Sequence, residues 1–169
     1  MPYRPPTALD RLNSAPAAEL DALLREVCAS GGWASAVAAT RPWPDAAALL
    51  AAADAAVARL DEAGLREALA GHARIGTPRE GDAVSQREQS GVRGAGAEVL
   101  DQLREANAAY EARFGHLFLI CATGRTAESM LAALHERCGH DPAAERETVR
   151  GELAKINAIR LRRLLEEAP

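Results

Sequence analysis

The sequence predicts an all-α fold: one domain over residues 1–169, built as a bundle of about eight helices with no significant sheet. Three observations lead there. Alanine is heavily used and aromatics make up only 4% of the chain, which favours closely packed helices over a pleated sheet. Apolar residues recur at helical spacing, most plainly at Leu20, Leu23, Leu24, Val27 and Cys28, positions i, i+3, i+4, i+7 and i+8 of one stripe. The chain has 169 residues, 48% hydrophobic and 26% charged. It is therefore long enough for one sizeable core and too apolar to be disordered.

Each element follows from its own signals. Thr7 is placed to cap a short helix through Leu9 and Leu12. Ser14 before Pro16 reads as the start of the amphipathic helix just described, which Gly31-Gly32 ends. Trp33 and Val37 continue helically to the turn at Arg41-Pro42-Trp43-Pro44. Asp45 caps a helix carrying Leu49, Leu50, Ala53 and Val57. The next turns Leu60 or Leu65, and Leu69, inward and stops at Gly71. A charged loop from Gly71 to Val84 follows, and Ser85 starts a short helix interrupted by Gly91, Gly94 and Gly96. A longer helix runs from about Glu98 to Gly115. The apolar run Leu117 to Ala122 has strand-like length, yet no second strand exists to pair with it, so it reads as buried extended chain. Thr126 caps a helix with Met130, Leu131 and Leu134 that Gly139 stops. Asp141-Pro142 opens the last helix, with Val149, Leu153, Ile156, Ile159 or Arg160, and Leu164 as its inner positions.

Bulk charge excludes some functions. A net charge of -4 and a pI near 5.6 offer no basic stripe for nucleic acid. No apolar run is long enough to span a bilayer. Met1 to Pro6 lacks a signal-peptide apolar region, and Glu166 to Pro169 is not a peroxisomal address. Three scattered cysteines, Cys28, Cys121 and Cys138, suggest reduced thiols in a cytoplasmic protein.

The candidate chemistry gathers at Gly71-His72-Ala73-Arg74-Ile75-Gly76 and Ser85-Gln86-Arg87-Glu88-Gln89. Glycines bracket His72, so the backbone can turn tightly and present the ring to a cavity; a structural or exposed loop histidine is the alternative. Ser85-x-x-Glu88 fits a capping box, which accounts for both residues without any catalytic role. Gln89 lies on another part of that helix surface. Arg160 shares a helical face with Leu153, Ile156 and Leu164. Arginine is rarely buried there without a partner. It is either a snorkelling or internally paired cation or a planar fork for an anionic ligand. His135, Cys138 and His140 lack a fourth ligand at zinc-like spacing. His140-Asp141 is similar to a metal phosphohydrolase pair, but Asp141 is better used as a helix cap, and a metal site is not expected. Gly124-Arg125 lacks the glycine pattern and lysine of a phosphate loop.

Taken in order, these pieces resemble the 2-oxo-4-hydroxy-4-carboxy-5-ureidoimidazoline (OHCU) decarboxylases of uric acid degradation. Leu12-Asn13-Ser14-Ala15, Gly32-Trp33-Ala34 and Arg41-Pro42-Trp43 resemble the opening segments. Gly71 to Gly76 resembles a His-Pro-x-Ile/Leu-Gly motif, and Ser85-x-x-Glu88-Gln89 a Ser-x-x-Glu-Gln motif. Tyr110-x-x-x-Phe114-Gly115, Phe118-x-Ile120-Cys121-Ala122 and Lys155-Ile156-x-x-Ile159-Arg160-Leu161 complete the match. One departure is clear: Ala73 stands where the family has proline.

The resemblance implies an all-α fold, a homodimer, no metal or organic cofactor, and OHCU as a small-molecule substrate converted to (S)-allantoin. It implies catalytic roles for His72, Glu88 and Arg160, with Ser85, Gln89, Ala73 and the backbone near Ile120 against the substrate. The residue types suit that chemistry. An arginine on a low-dielectric face can hold an anionic oxygen. Histidine, with a reference pKa of about 6.5, can exchange a proton with a hydroxyl. A non-catalytic helical binding or dimerisation module of the same fold is the second reading, and a metal-dependent hydrolase using the histidines a poorer third.

Overall fold

Local signals set most of the element boundaries. The computed structural model describes residues 5–167; the readings made on Met1 to Arg4 and on Ala168-Pro169 lie outside them. Among the described residues there are nine α-helices, one turn of 3-10 helix at Ser90–Val92 and no strand. The helices are α1 Ala8–Ser14, α2 Ala17–Val27, α3 Gly31–Ala38, α4 Ala46–Ala58, α5 Glu62–Ala70, α6 Ala83–Glu88, α7 Ala97–Phe114, α8 Ala127–Arg137 and α9 Pro142–Glu167. The all-α expectation holds, with nine helices where about eight were expected.

Caps fall where short polar side chains can take orphan N–H groups. Thr7 accepts from the Asp10 N–H and Asp10 reaches back to Thr7, a full capping box. Asp45, Thr126 and Asp141 cap α4, α8 and α9 as expected. Gly115 ends α7 in the left-handed region, and its N–H donates to Glu111 O.

Two boundaries near the start of the chain differ from expectation. Ser14 closes α1, its hydroxyl donating back to Asp10 O and Arg11 O. Pro16 then occupies the cap position of α2 with no side-chain bond. Gly31-Gly32 opens α3 instead of ending α2. Cys28 is already extended at φ -143°, and Ser30 caps α3 by accepting from the Trp33 N–H. Both errors have one cause: glycine and serine near a helix end fit a stop and a start equally well.

The chain divides into two compact units, Met1–Ala68 with Ala154–Pro169, and Leu69–Leu153. In the first, Leu20, Leu24, Trp33, Leu49 and Leu161 are buried, and the Trp33 indole N–H donates to Ala53 O at 3.1 Å. Asn13 and Trp43 exchange two hydrogen bonds, 2.8 and 2.9 Å, and Arg41 donates to Ala15 O at 2.8 Å. Cys28 is fully buried, and burial pushes its thiol pKa up.

In the second unit, Ile75, Val92, Leu103, Tyr110, Phe118, Ile120, Met130 and Leu134 belong to one buried cluster. Residues 117–122 form neither helix nor strand. Phe118, Leu119, Ile120 and Ala122 are buried.

Candidate active site

The loop after α5 is built from backbone groups that side chains must satisfy. His72 lies two residues past the end of α5, buried at 8% exposure, and its N–H donates to Leu69 O at 3.0 Å. Arg74 to Thr77 form a β-turn closed by Thr77 N–H to Arg74 O, 3.2 Å. Its third residue, Gly76, has φ +92°, a conformation that disfavours any side chain.

Gln89 pins this turn. Its carbonyl accepts from the Gly76 N–H at 3.0 Å, and its NH2 donates to Arg74 O at 3.0 Å and to Ala73 O at 3.5 Å. Asn107, on α7, donates to Ile75 O at 2.9 Å. Arg79 donates to Ala70 O at 3.0 Å and to His72 O at 3.2 Å. Arg74 itself points outward, in a two-bond pair with Glu111 at 2.5 and 2.9 Å; that guanidinium holds the Glu111 carboxyl below its usual range. The loop carrying His72 is therefore fixed by three neighbouring side chains.

Ser85 does not cap its helix. Asp82 does, accepting from the N–H groups of Val84 and Ser85 at 3.0 and 3.2 Å. Ser85 is the third residue of α6, buried at 6% exposure. Its hydroxyl donates to Asp82 O at 3.2 Å and accepts from the Arg79 N–H at 3.1 Å. The expected Ser85–Glu88 capping box is thus absent, because a carboxylate three residues earlier takes the orphan amides. Glu88 is half-buried at the last position of α6. Hydrogen bonds link His72, Ala73, Ser85 and Gln89 into one assembly through Arg79 and the loop backbone.

Ile120 is buried in the irregular segment before α8, at 4% exposure. The Leu119 carbonyl accepts from Arg137 Nη1 at 2.7 Å, and the Cys121 N–H donates to Glu152 Oε2 at 2.7 Å. Arg160 belongs to the other compact unit. There it is half-buried on α9, near buried Ile156, and its Nη1 donates to Val27 O, the last carbonyl region of α2, at 2.9 Å. A cation is well placed at a helix C-terminus. Its expected neighbour Leu164 is only half-buried, while Asn157 and Leu161 are buried.

One polar group escaped the sequence reading. Glu145, fully buried on α9, accepts from Arg137 Nε and Nη2 at 2.9 and 2.5 Å and from the Tyr110 hydroxyl. Its second oxygen contacts His140 Nδ1 at 2.9 Å, which gives that histidine an acid partner. Burial, then Glu145, pushes the Tyr110 hydroxyl pKa up, so Tyr110 stays a donor. A signal was present: Glu145, Val149 and Glu152 follow i, i+4, i+7 spacing, which puts both acids on an apolar face.

A family model described as OHCU decarboxylase matches residues 13–162. The chain belongs to the OHCU decarboxylase family. All the candidate residues from His72 to Arg160 lie inside the matched stretch. The chain is 31% identical over 147 residues to the uric acid degradation bifunctional protein TTL of Arabidopsis thaliana, covering 83% of this chain and 45% of that protein. It is 40% identical over 89 residues, 52% of this chain and 51% of the relative, to a putative OHCU decarboxylase of Homo sapiens. The chain spans about half the length of the curated relatives it matches. Among solved structures, a crystal structure of OHCU decarboxylase in the presence of (S)-allantoin superposes with a TM-score of 0.74. It has 28% identity and covers 87% of this chain and 99% of that one. A crystal structure of (S)-allantoin synthase shares the fold, with a TM-score of 0.71, 23% identity, and coverage of 92% and 53%.

Proposed function

We propose that this chain is a cofactor-independent carboxy-lyase that converts OHCU to (S)-allantoin in uric acid degradation. The observation that carries the proposal is the family match over residues 13–162, with a structural relative crystallised in the presence of (S)-allantoin. The whole chain, 1–169, acts as one decarboxylase domain, as a homodimer in the cytoplasm. No helix among the described residues is long and apolar enough to cross a membrane.

The roles follow from the chemistry of each group. The substrate carries a carboxylate and a hydroxyl on one ring carbon. When the bond to the carboxylate breaks, CO2 leaves and the electron pair passes into the conjugated ring. That ring serves as its own electron sink, so no organic cofactor is required. Arg160 holds the anionic oxygen and stabilises charge as it develops. His72 handles the proton of the hydroxyl and of the carbon that is reprotonated. Glu88 takes ureido and ring N–H groups and so selects the face on which the proton arrives. Ser85, Ala73 and the Ile120 backbone line the substrate, and Gln89 acts on it through the loop that it pins.

A second reading, a non-catalytic module of the same fold, draws on Ala73. The hydrogen bonds from Gln89, Asn107 and Arg79 weigh against it, because they hold the loop without proline. The test is the lifetime of OHCU generated from urate by its upstream oxidase and hydrolase. Added protein shortens that lifetime in proportion to its concentration if it is the enzyme. An unchanged lifetime at every concentration would leave the module.

A further inference from the structure

The irregular segment around Ile120 has no sheet to fix it. Its buried polar backbone groups must find partners elsewhere, and they find two charged side chains. Arg137 Nη1 donates to Leu119 O, and the Cys121 N–H donates to Glu152 Oε2, each at 2.7 Å. The two bonds fall on either side of Ile120 and use neither its N–H nor its C=O. Both clamping side chains are buried, Arg137 at 5% and Glu152 at 7% exposure. Arg137 is fixed in turn by Glu145, whose carboxylate meets it through two nitrogens, and by the Phe118 ring beneath its guanidinium at 4.4 Å. Glu145 and Glu152 are two turns apart on α9, so one helix face supplies both anchors of the clamp.

We propose that Glu152 and Arg137 are positioning residues for the decarboxylation, holding the Leu119–Cys121 backbone so that the Ile120 peptide meets the substrate ring in one orientation. The inference rests on the decarboxylase reading and deepens it. A hydrogen bond from a backbone amide to a buried side-chain oxygen satisfies and fixes that amide without a partner strand. It therefore suits a segment that must be kept still without a ladder of neighbours. The clamp acts on the pose of the ring and not on the proton itself. Its loss should lower kcat and the handedness of the product more than it weakens binding.

The test compares Glu152→Gln, Glu152→Ala and Glu152→Asp with the unmutated protein, reading kcat, KM and the enantiomeric excess of allantoin formed from OHCU. Gln keeps an acceptor for the Cys121 N–H and should retain kcat within about threefold, because that N–H needs only an acceptor. Ala should lose kcat about tenfold or more and yield partly racemic product, with KM changed less than kcat and helical circular dichroism retained. If Glu152→Ala fails to fold, Glu152→Asp carries the test: its shorter side chain withdraws the acceptor and should also lower kcat and enantiomeric excess. Full kcat and enantiomeric excess in Ala or Asp would overturn the inference, as would a Gln variant as poor as Ala. If the unmutated chain leaves OHCU at its spontaneous rate, the decarboxylase reading fails first and the clamp's role falls with it.

Discussion

Gln89 uses both ends of its amide on the loop that carries His72, accepting from Gly76 and donating to Arg74 O. Leucine at this position has similar bulk and neither function. Gln89→Leu should leave a part-buried N–H and carbonyl without their protein partner, at a cost of about 1 kcal/mol, and lower kcat more than tenfold by loosening His72. Urea unfolding and the OHCU assay would read the two effects; a variant with both unchanged would show that Gln89 does not hold the loop. The helix end at Gly71 and the tight turn at Gly76 were legible in the sequence, because a positive-φ glycine and a helix end leave local marks. The roles of Ser85 and Gln89 were not. Asp82 and Ser85 are both good capping residues three positions apart, and only the folded backbone decides which meets the orphan amides. Gln89's partners lie 13 and 15 residues away in sequence, beyond the reach of any local pattern.

Helix α9 shows the same limit in a longer element. Its start at Asp141-Pro142 and its apolar positions Val149, Leu153 and Ile156 could be read from spacing. Its buried acids could not be paired from sequence, since the partners Arg137, Tyr110 and the Cys121 amide come from three other segments. Carboxylates in a core are tolerable only with such partners. Glu145→Leu would strand the Arg137 guanidinium in a buried site, and breaking a buried pair in this way costs about 3–5 kcal/mol. Replacing both partners, Glu145→Leu with Arg137→Met, should recover much of that loss, because no uncompensated charge remains. A double-mutant cycle in urea measures the difference. Equal destabilisation by the single and double variants would mean that the pair is not what holds α8 to the start of α9.

At the scale of the whole molecule, the family match from 13 to 162 runs through both compact units, and the fold class was legible throughout. Alanine-rich composition, apolar stripes at helical spacing and capping signals all pointed one way, and such agreement across levels marks a sequence that specifies one fold. The net charge of -4 likewise gave no sign of a nucleic-acid partner. The central claim is that this chain decarboxylates OHCU with His72 handling the proton. The most direct measurement is the circular dichroism of allantoin formed from OHCU by the unmutated chain and by His72→Ala, side by side. The account predicts rapidly formed (S)-allantoin from the former. From the latter it predicts a racemate at the spontaneous rate, with the helical signal of the protein intact. Racemic product from the unmutated chain, or full rate and handedness from His72→Ala, would contradict it.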